Sequence, residues 1–524
     1  MNIFNTIELP KVGSNMFDMS HTHTTSFRMG EIIPFCVMET LPGDKWKISH
    51  ENWLRFAPLI SPVMHFIQVK CNWFFCPYRL IWVEWEDFIT NEVDVEMPYL
   101  TGLNSLPLGS LQDYLGVSPE VTLNTLQISA FQVAVYTKIW DEYYRDQNLQ
   151  IERFSMLVPG NNNTTGTTPY TYDEINHARP MLRAYNGDAY TRALPFAQKG
   201  DEVTIPLVNG GNVPVTLVPG STNTGKFVDN VNQNPAGPGD VQAGAATDNL
   251  TIGGATGQYD PNDTLQAEID DNSVTVRLFR QVIKLQEWLE RNARGGTRYF
   301  ENIWAHFGKK SPDSRLQRPE YLGGCTQAMV ISEVLSTAQT IDQSSNDIPI
   351  GALRGHGISA GSMKPIRYTC DEHGLIMGMI TVTPVHALIH ALHPMYLRND
   401  NLDYAWPTFA HIGEQEIKNA EVDIEHLSSD TEASAAFGYG PRYYDWKQIP
   451  SRVSSEMRTT LKFWHLARDF TDTPVLDGSF IEVNPSESSR IFAIETGADQ
   501  IQAQIMINAS VIRKLPKFGI PSFV

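Results

Sequence analysis

From Ile501 to Ile512 the sequence alternates without a break. Ile501, Ala503, Ile505, Ile507, Ala509 and Val511 fall on one side of a period of two, and Gln502, Gln504, Met506, Asn508, Ser510 and Ile512 fall on the other. Successive side chains point to opposite faces in a β-strand, so this pattern describes a strand with one face on a core. A strand is stable only beside partners, and this one comes late in a sequence of 524 residues, so it has to pair with segments made early. One sheet system therefore spans the chain.

Further strands are expected at 32–38, 63–75 and 366–383, with the last at 501–513. The first ends at a turn signal, Leu41-Pro42-Gly43-Asp44. In the second, Val63, His65, Ile67, Val69, Cys71, Trp73 and Phe75 share a face. In the third, Asp371-Glu372-His373-Gly374 reads as the turn between two hairpin arms. Apolar residues at helical spacing predict helices around Ile128 to Tyr143 and from Val276 to Arg291. Residues 1–30 are polar and read as an extended arm rather than a core segment, and 332–361 reads as a polar, glycine-rich passage that could lie against a partner. Residues 201–270 differ from their surroundings, with nine acids to a single lysine, Lys226, and only Phe227 and Tyr259 as aromatics. Such a segment buries little by itself.

Strands this widely spaced, interrupted by helical and polar excursions, suit an all-β core, one β-sandwich or jelly roll with long loop insertions containing short helices. The expected organisation is an arm at 1–30 and one domain at 31–524, with 201–270 as a surface projection within it. Structureless loops are usually short, so loops this long point to a function carried by the loops.

The formal net charge is -19, which ordinarily argues against a nucleic-acid partner. Against that balance, the stretch from Arg291 to Gly324 gathers Arg291, Arg294, Arg298, Lys309, Lys310, Arg315 and Arg318 among Tyr299, Phe300, Trp304, Phe307 and Tyr321. Guanidinium groups and rings together can meet phosphates and bases, or can form a subunit contact, or can be ordinary core and loop. The residues leave all three open. A second basic and aromatic patch holds Arg452, Arg458 and Trp464, and Arg513, Lys514 and Lys517 follow the last strand.

Little points to catalysis. The five cysteines are odd in number and form no C-x-x-C pair, so they read as small buried apolar residues. His386, His390 and His393 would share a helix face, but Ala387 stands where a zinc protease needs glutamate. The glycines of GALRGHGISAG lack the strand-to-helix setting of a phosphate loop, and the acids of 201–270 offer no isolated pair in an apolar setting. No catalytic residue, metal site or cofactor is expected. Nor does the sequence carry a signal-peptide pattern or an apolar run of membrane-spanning length, which predicts a soluble chain made in a cytoplasm.

Several segments carry a family resemblance: PVMHFIQVKCNWFFCPYRLIW (Pro62 to Trp82), IWDEYYRDQNL (Ile139 to Leu149), Gly295 to Gly324, WPTFAHIGEQEI (Trp406 to Ile417), FGYGPRYYDWK (Phe437 to Lys447) and LKFWHLARDF (Leu461 to Phe470). In this order they resemble the major capsid proteins of the microviruses, small icosahedral bacteriophages with single-stranded DNA, and within them the gokushovirus-like branch. The resemblance implies an eight-stranded antiparallel jelly-roll subunit without enzymatic activity, made in the host bacterial cytoplasm, sixty copies of which form a T=1 shell around circular single-stranded DNA in the virion. It implies as partners other copies of the chain, the packaged DNA, virion proteins such as a DNA pilot or a small DNA-binding protein, and a bacterial host receptor met by an insertion at the threefold axes. A β-rich carbohydrate-binding or glycan-hydrolysing protein, its Trp and Tyr lining a sugar groove, is the alternative.

Overall fold

In the computed structural model, residues 13–518 are described except for 103–105, 120–124, 168–169, 338–350, 496 and most of 202–275 outside seven short strands. The chain divides into two compact units, Met1–Lys199 with Glu290–Val524, and Gly200–Leu289.

The first unit is built on two antiparallel sheets. In chain order their strands are β1 (Asn15–Asp18), β2 (His21–Phe27), β3 (Ile33–Thr40), β4 (Lys45–Phe56), β5 (Ile67–Pro77), β6 (Glu320–Ala328), β7 (Val330–Leu335), β8 (Leu353–Ser362), β9 (Ile366–Thr369), β10 (Gly374–Pro384) and β11 (Ile501–Arg513). A seven-stranded sheet has β11 and β4 at its centre, with β1 and β2 along the outer edge of β11, and β8 and β9 along the far edge of β4. Beyond β8 lies β7. A four-stranded sheet runs β6-β5-β10-β3. Two helices matter below: α2 (Val276–Gly295) and α3 (Tyr299–Phe307), which follow α1 (Phe131–Tyr143).

The two sheets face each other across one core. Ile48, Leu54 and Phe56 of β4 and Ile501, Ile505 and Val511 of β11 meet Phe35, Val69, Trp73, Ile376 and Val382 of the smaller sheet. A second cluster covers the other face of the four-stranded sheet, where Phe74, Leu375, Met377 and Met379 pack with Phe131, Val135, Tyr136, Ile139 and Trp140 of α1. The four-stranded sheet is thus buried on both faces, and every residue of β10 is buried. The seven-stranded sheet has one open face, so β4 and β11 alternate buried and exposed. A third cluster, around Tyr190, Leu388, Ile417, Val422, Phe437, Tyr444 and Phe480, organises the segment between β10 and β11.

The late strand, the early strand near 67 and both helices stand where expected, and the shared face of Ile67, Val69, Cys71, Trp73 and Phe75 is the buried one. Other expectations are corrected. The sheets hold seven and four strands where eight were expected in all, giving a mixed fold of helices and antiparallel sheet with a β-rich core. Extra strands come from segments read as non-strand. Within the expected arm, β1 and β2 pair with β11, and Phe27 and Met29 are buried in the main core; residues 1–12 lie outside the described residues. Within the glycine-rich passage β7 and β8 pair with each other, while 338–350 lie outside the description.

The glycines of β8 have a packing reason. Gly355, Gly357 and Gly361 share one side of the strand, where an added Cβ would stand 2.3 Å from the Ser61 carbonyl oxygen, 2.5 Å from the Phe56 ring and 1.5 Å from Gln327 Oε1. The arms flanking Asp371 to His373 are no hairpin. β9 pairs with β4 in the larger sheet and β10 with β3 and β5 in the smaller, so this turn carries the chain from one sheet to the other.

The segment holding His386, His390 and His393 is not helical, and the three imidazoles go to different partners. His386 Nδ1 lies 2.6 Å from Asp188, His390 Nε2 lies 2.6 Å from Glu425, and His393 accepts the Met395 N–H at 3.0 Å. In the second unit, pairs of two- and three-residue strands join Val215–Leu217 with Leu265–Ala267 and Lys226–Val228 with Gln258–Asp260, and a third ladder links Val241–Ala243, Leu250–Ile252 and Ala255–Thr256. The remainder of 201–270, including VTIPLV, lies outside the described residues. Among the described residues no helix is long and apolar enough to cross a membrane.

Candidate interaction surface

The Arg291 to Gly324 stretch folds as the end of α2, a tight connection, α3, a loop and β6. Gly295 lets the two helices close on each other, since a Cβ there would come within 2.7 Å of Ala305 Cβ. Asn292 on α2 accepts the Asn302 amide at 2.9 Å and lies 2.7 Å from His306 Nε2. Glu301 starts α3 by accepting the Arg298 backbone N–H at 3.1 Å, and Gly308, at φ 65°, ends it.

The structure sorts the cations of this stretch into two sets. Arg318 is 6% exposed, lies between the rings of Tyr143 at 4.2 Å and Phe300 at 4.1 Å, and pairs with Asp313 at 3.3 Å. Such a stacked, desolvated guanidinium is a packing element. Arg298 donates to the carbonyls of Asp141 at 2.6 Å and Arg145 at 2.9 Å, and burial pulls its proton affinity below the ordinary guanidinium value, opposed by Glu301. Arg294 is bound by Glu414. These three hold the stretch onto the first unit.

Lys309, Lys310 and Arg315 form the other, exposed set, and Arg291 is exposed as well, as is the Glu414-bound Arg294. Lys310 Nζ lies 4.4 Å from the Trp304 ring, and Trp304, Tyr299 and Phe307 are 53%, 74% and 80% exposed. Besides Arg294, four exposed cations and three exposed rings within 25 residues make a surface that can stack on flat groups and meet anions.

A second surface lies in the segment between β10 and β11. Arg452 and Arg458 line a cavity of about 830 Å³ with His393, Tyr396, Trp446 and Ile449, and Trp464 lines an adjoining one of about 350 Å³ with Met64, Phe66 and Arg452. Arg458 is partly committed, its Nε donating to the Val453 carbonyl at 2.8 Å, whereas Arg452 is exposed. At the end of β11, Arg513 is held by Asp44 and lies 5.7 Å from the Trp46 ring, while Lys514 and Lys517 beyond the strand are exposed.

The first unit thus combines a two-sheet, β-rich core with long insertions and exposed cation-aromatic surfaces. Residues 7–523 match the family described as capsid protein (F protein), and the chain belongs to that family. It is accordingly a structural, non-enzymatic protein of the viral capsid. The chain is 30% identical to capsid protein VP1 of Chlamydia phage 1, covering 99% of this chain and 97% of the relative. It is 31% identical to capsid protein VP1 of Bdellovibrio phage phiMH2K over 98% of this chain and 97% of the relative, and 27% identical to capsid protein VP1 of Spiroplasma virus 4 over 96% and 94%. The carbohydrate-binding alternative is set aside on that membership.

Sequence reasoning found the stretch but not its division. Arg318 and Arg298 are committed by Tyr143, Phe300, Asp141 and Arg145, most of which lie more than 150 residues away in the sequence. It also missed His50, Cys71 and Cys325, which converge between the sheets.

Proposed function

We propose that this chain is the major capsid protein of a microvirus of the gokushovirus-like branch, and that sixty copies close into a T=1 shell around circular single-stranded DNA. What supports the reading is the similarity to phage capsid proteins along almost the whole chain. On this reading the two facing sheets are a viral jelly roll with extra edge strands. Electron microscopy and native mass measurement of the purified protein test it. Closed particles of sixty subunits are expected, and a stable monomer that never assembles would sink it.

Within that shell, exposed Arg291, Lys309, Lys310, Arg315, Arg452, Lys514 and Lys517, with Trp304 and Trp464, meet DNA or a neighbouring copy, while Arg294, Arg298, Arg318, Arg458 and Arg513 shape the segments that carry them. A base stacked on Trp304 contributes roughly 1–3 kcal/mol. Other virion proteins, such as a DNA pilot or a small DNA-binding protein, share this interior. Residues 201–270, acidic and poor in aromatics, project outward and meet the host receptor, since their charge repels DNA. Replacing 203–268 by a short Gly/Ser linker should leave particles that assemble and package DNA but adsorb poorly to the host. Loss of assembly by a folded deletion variant would make the segment a lattice contact instead.

A further inference from the structure

At the edge of the four-stranded sheet, Cys71 of β5 and Cys325 of β6 stand directly opposite each other in the strand register. His50 reaches them from β4, and one atom from each of the three side chains lies within 4.8 Å of the others. Cys71 and His50 are fully buried, whereas Cys325 on the edge strand is partly exposed. Of the pair, Cys325 is thus the residue nearer solvent.

The hydrogen bonds around His50 decide what the cluster can do. Trp73 Nε1 lies 3.1 Å from His50 Nδ1, and an indole nitrogen only donates. His50 Nδ1 must then accept, which puts the neutral ring's proton on Nε2, 3.6 Å from Cys325 Sγ. The imidazole offers Cys325 a proton rather than a lone pair. A metal ion at this place would need that lone pair, and freeing it would turn an N–H at Nδ1 against the Trp73 N–H. Donors aimed at a sulfur favour its thiolate. Cys325 receives the Cys71 hydrogen bond first and that of His50 second, and together these bring its pKa down to about 5 against the opposing effect of burial. Cys71 is pushed well up, by its bond to Cys325 and by burial. One thiolate beside one thiol is the arrangement of an attacking and a resolving cysteine. The other three cysteines form a contrast within the same chain, since burial raises Cys36, Cys76 and Cys370 each to about 12.

We propose that Cys325 and Cys71 form a reactive dithiol that a low-molecular-weight disulfide converts into a cross-strand disulfide between β6 and β5. The Cys325 thiolate attacks one sulfur of the small disulfide, forming a mixed disulfide and expelling one small thiolate. Cys71 gives its proton to that departing base, and its sulfur attacks Cys325 Sγ, expelling the second small thiolate. The two protein sulfurs are oxidised and the small disulfide is reduced to two thiols, so no other oxidant enters. The bond would staple the edge strand that directly follows the exposed cation-aromatic stretch.

The test uses the full-length protein, folded and in chelator, incubated at neutral pH with oxidised glutathione and followed by intact mass and peptide mapping. Two of the five thiols should disappear, and the map should join residue 71 to residue 325. C71S should stop at a glutathione adduct on Cys325, and C325S should give neither adduct nor cross-link. The wild-type rate should be flat between about pH 6 and 8, whereas that of H50Q, which keeps the Cys71 hydrogen bond but loses that of His50, should acquire a rise with pH at the acid end of that range. Reaction of all five thiols only on unfolding, or first reaction at another cysteine, would overturn the proposal. So would protection of both thiols by one equivalent of zinc once the chelator is removed, which would make the cluster a metal site.

Discussion

The two sheets of the first unit are made of the same kind of strand and differ in how many of their faces are covered. The four-stranded sheet lies between two apolar clusters, whereas the seven-stranded sheet has a core on one side only. The consequence is visible along the strands. In β10, GLIMGMITVTP is buried throughout, while in β11 Gln502, Gln504 and Met506 are exposed between buried neighbours. A covered second face removes the polar half of the alternation and leaves a continuous apolar run. The smaller sheet is therefore the part least able to absorb change.

The largest effect should come at the corner where the chain passes from one sheet to the other. Glu31, between β2 and β3, is 1% exposed, and the Arg179 guanidinium meets it at 2.5 and 3.0 Å and reaches Asp499 at 2.9 Å. Arg179→Met leaves a buried carboxylate unpaired and should cost about 3–5 kcal/mol in denaturant unfolding of the unassembled subunit. A loss below about 1 kcal/mol would mean that the corner does not hold the sheets together.

Next come the faces themselves. Met377→Ala and Ile380→Ala, one for each side of β10, should each cost about 2–5 kcal/mol, because both are fully buried. The comparison breaks if Met377, on the α1 side, proves as tolerant as an open-face residue.

Acid should weaken the packing through histidines held neutral. His23, on β2, is depressed by burial, against a hydrogen bond to Phe35, and His65, just before β5, is brought to about 4 by burial. Because both folded values lie below the ordinary value of 6.5, their contribution is complete above that pH and is lost as the unfolded chain takes up protons below it. Unfolding midpoints should fall between about pH 6.5 and 5, and His23→Gln together with His65→Gln should flatten the slope. An unchanged slope in the double variant would place the acid sensitivity elsewhere. The smallest effects belong to the open face: Gln504→Ala should stay within about 0.5 kcal/mol of wild type.

The same difference explains what was legible in the sequence. β11 and β5 announce themselves because an apolar side alternates with a polar one. β2 does not, since the side that ends in buried Phe27 starts from exposed His21 and runs through half-buried His23 and Thr25, while its other side is threonine and serine. β8 is hidden for another reason, because its inner side is glycine wherever Phe56, Ser61 or Gln327 occupies the space. A turn such as Asp371 to His373 states that the chain reverses, but only the facing cores decide whether its arms remain in one sheet. In the candidate surface, the clustering of arginine and aromatic residues was legible. The division into committed and exposed cations was not, because Tyr143 and Glu414 lie more than 95 residues from the arginines they bind.

The position of β11 also sets a timetable. One whole edge of β4, and all the pairing of β1 and β2, wait for a strand that begins at Ile501. At about 5–20 residues per second, a ribosome that has finished β4 takes roughly 20 to 90 seconds to deliver it. During that interval Ile48, Leu54 and Phe56 sit on a strand with an unmade edge, the kind of surface that draws chaperones or other nascent chains. The larger sheet stays open until that strand arrives, so a chain stalled before β11 lacks one of the two strands at the centre of its sheet.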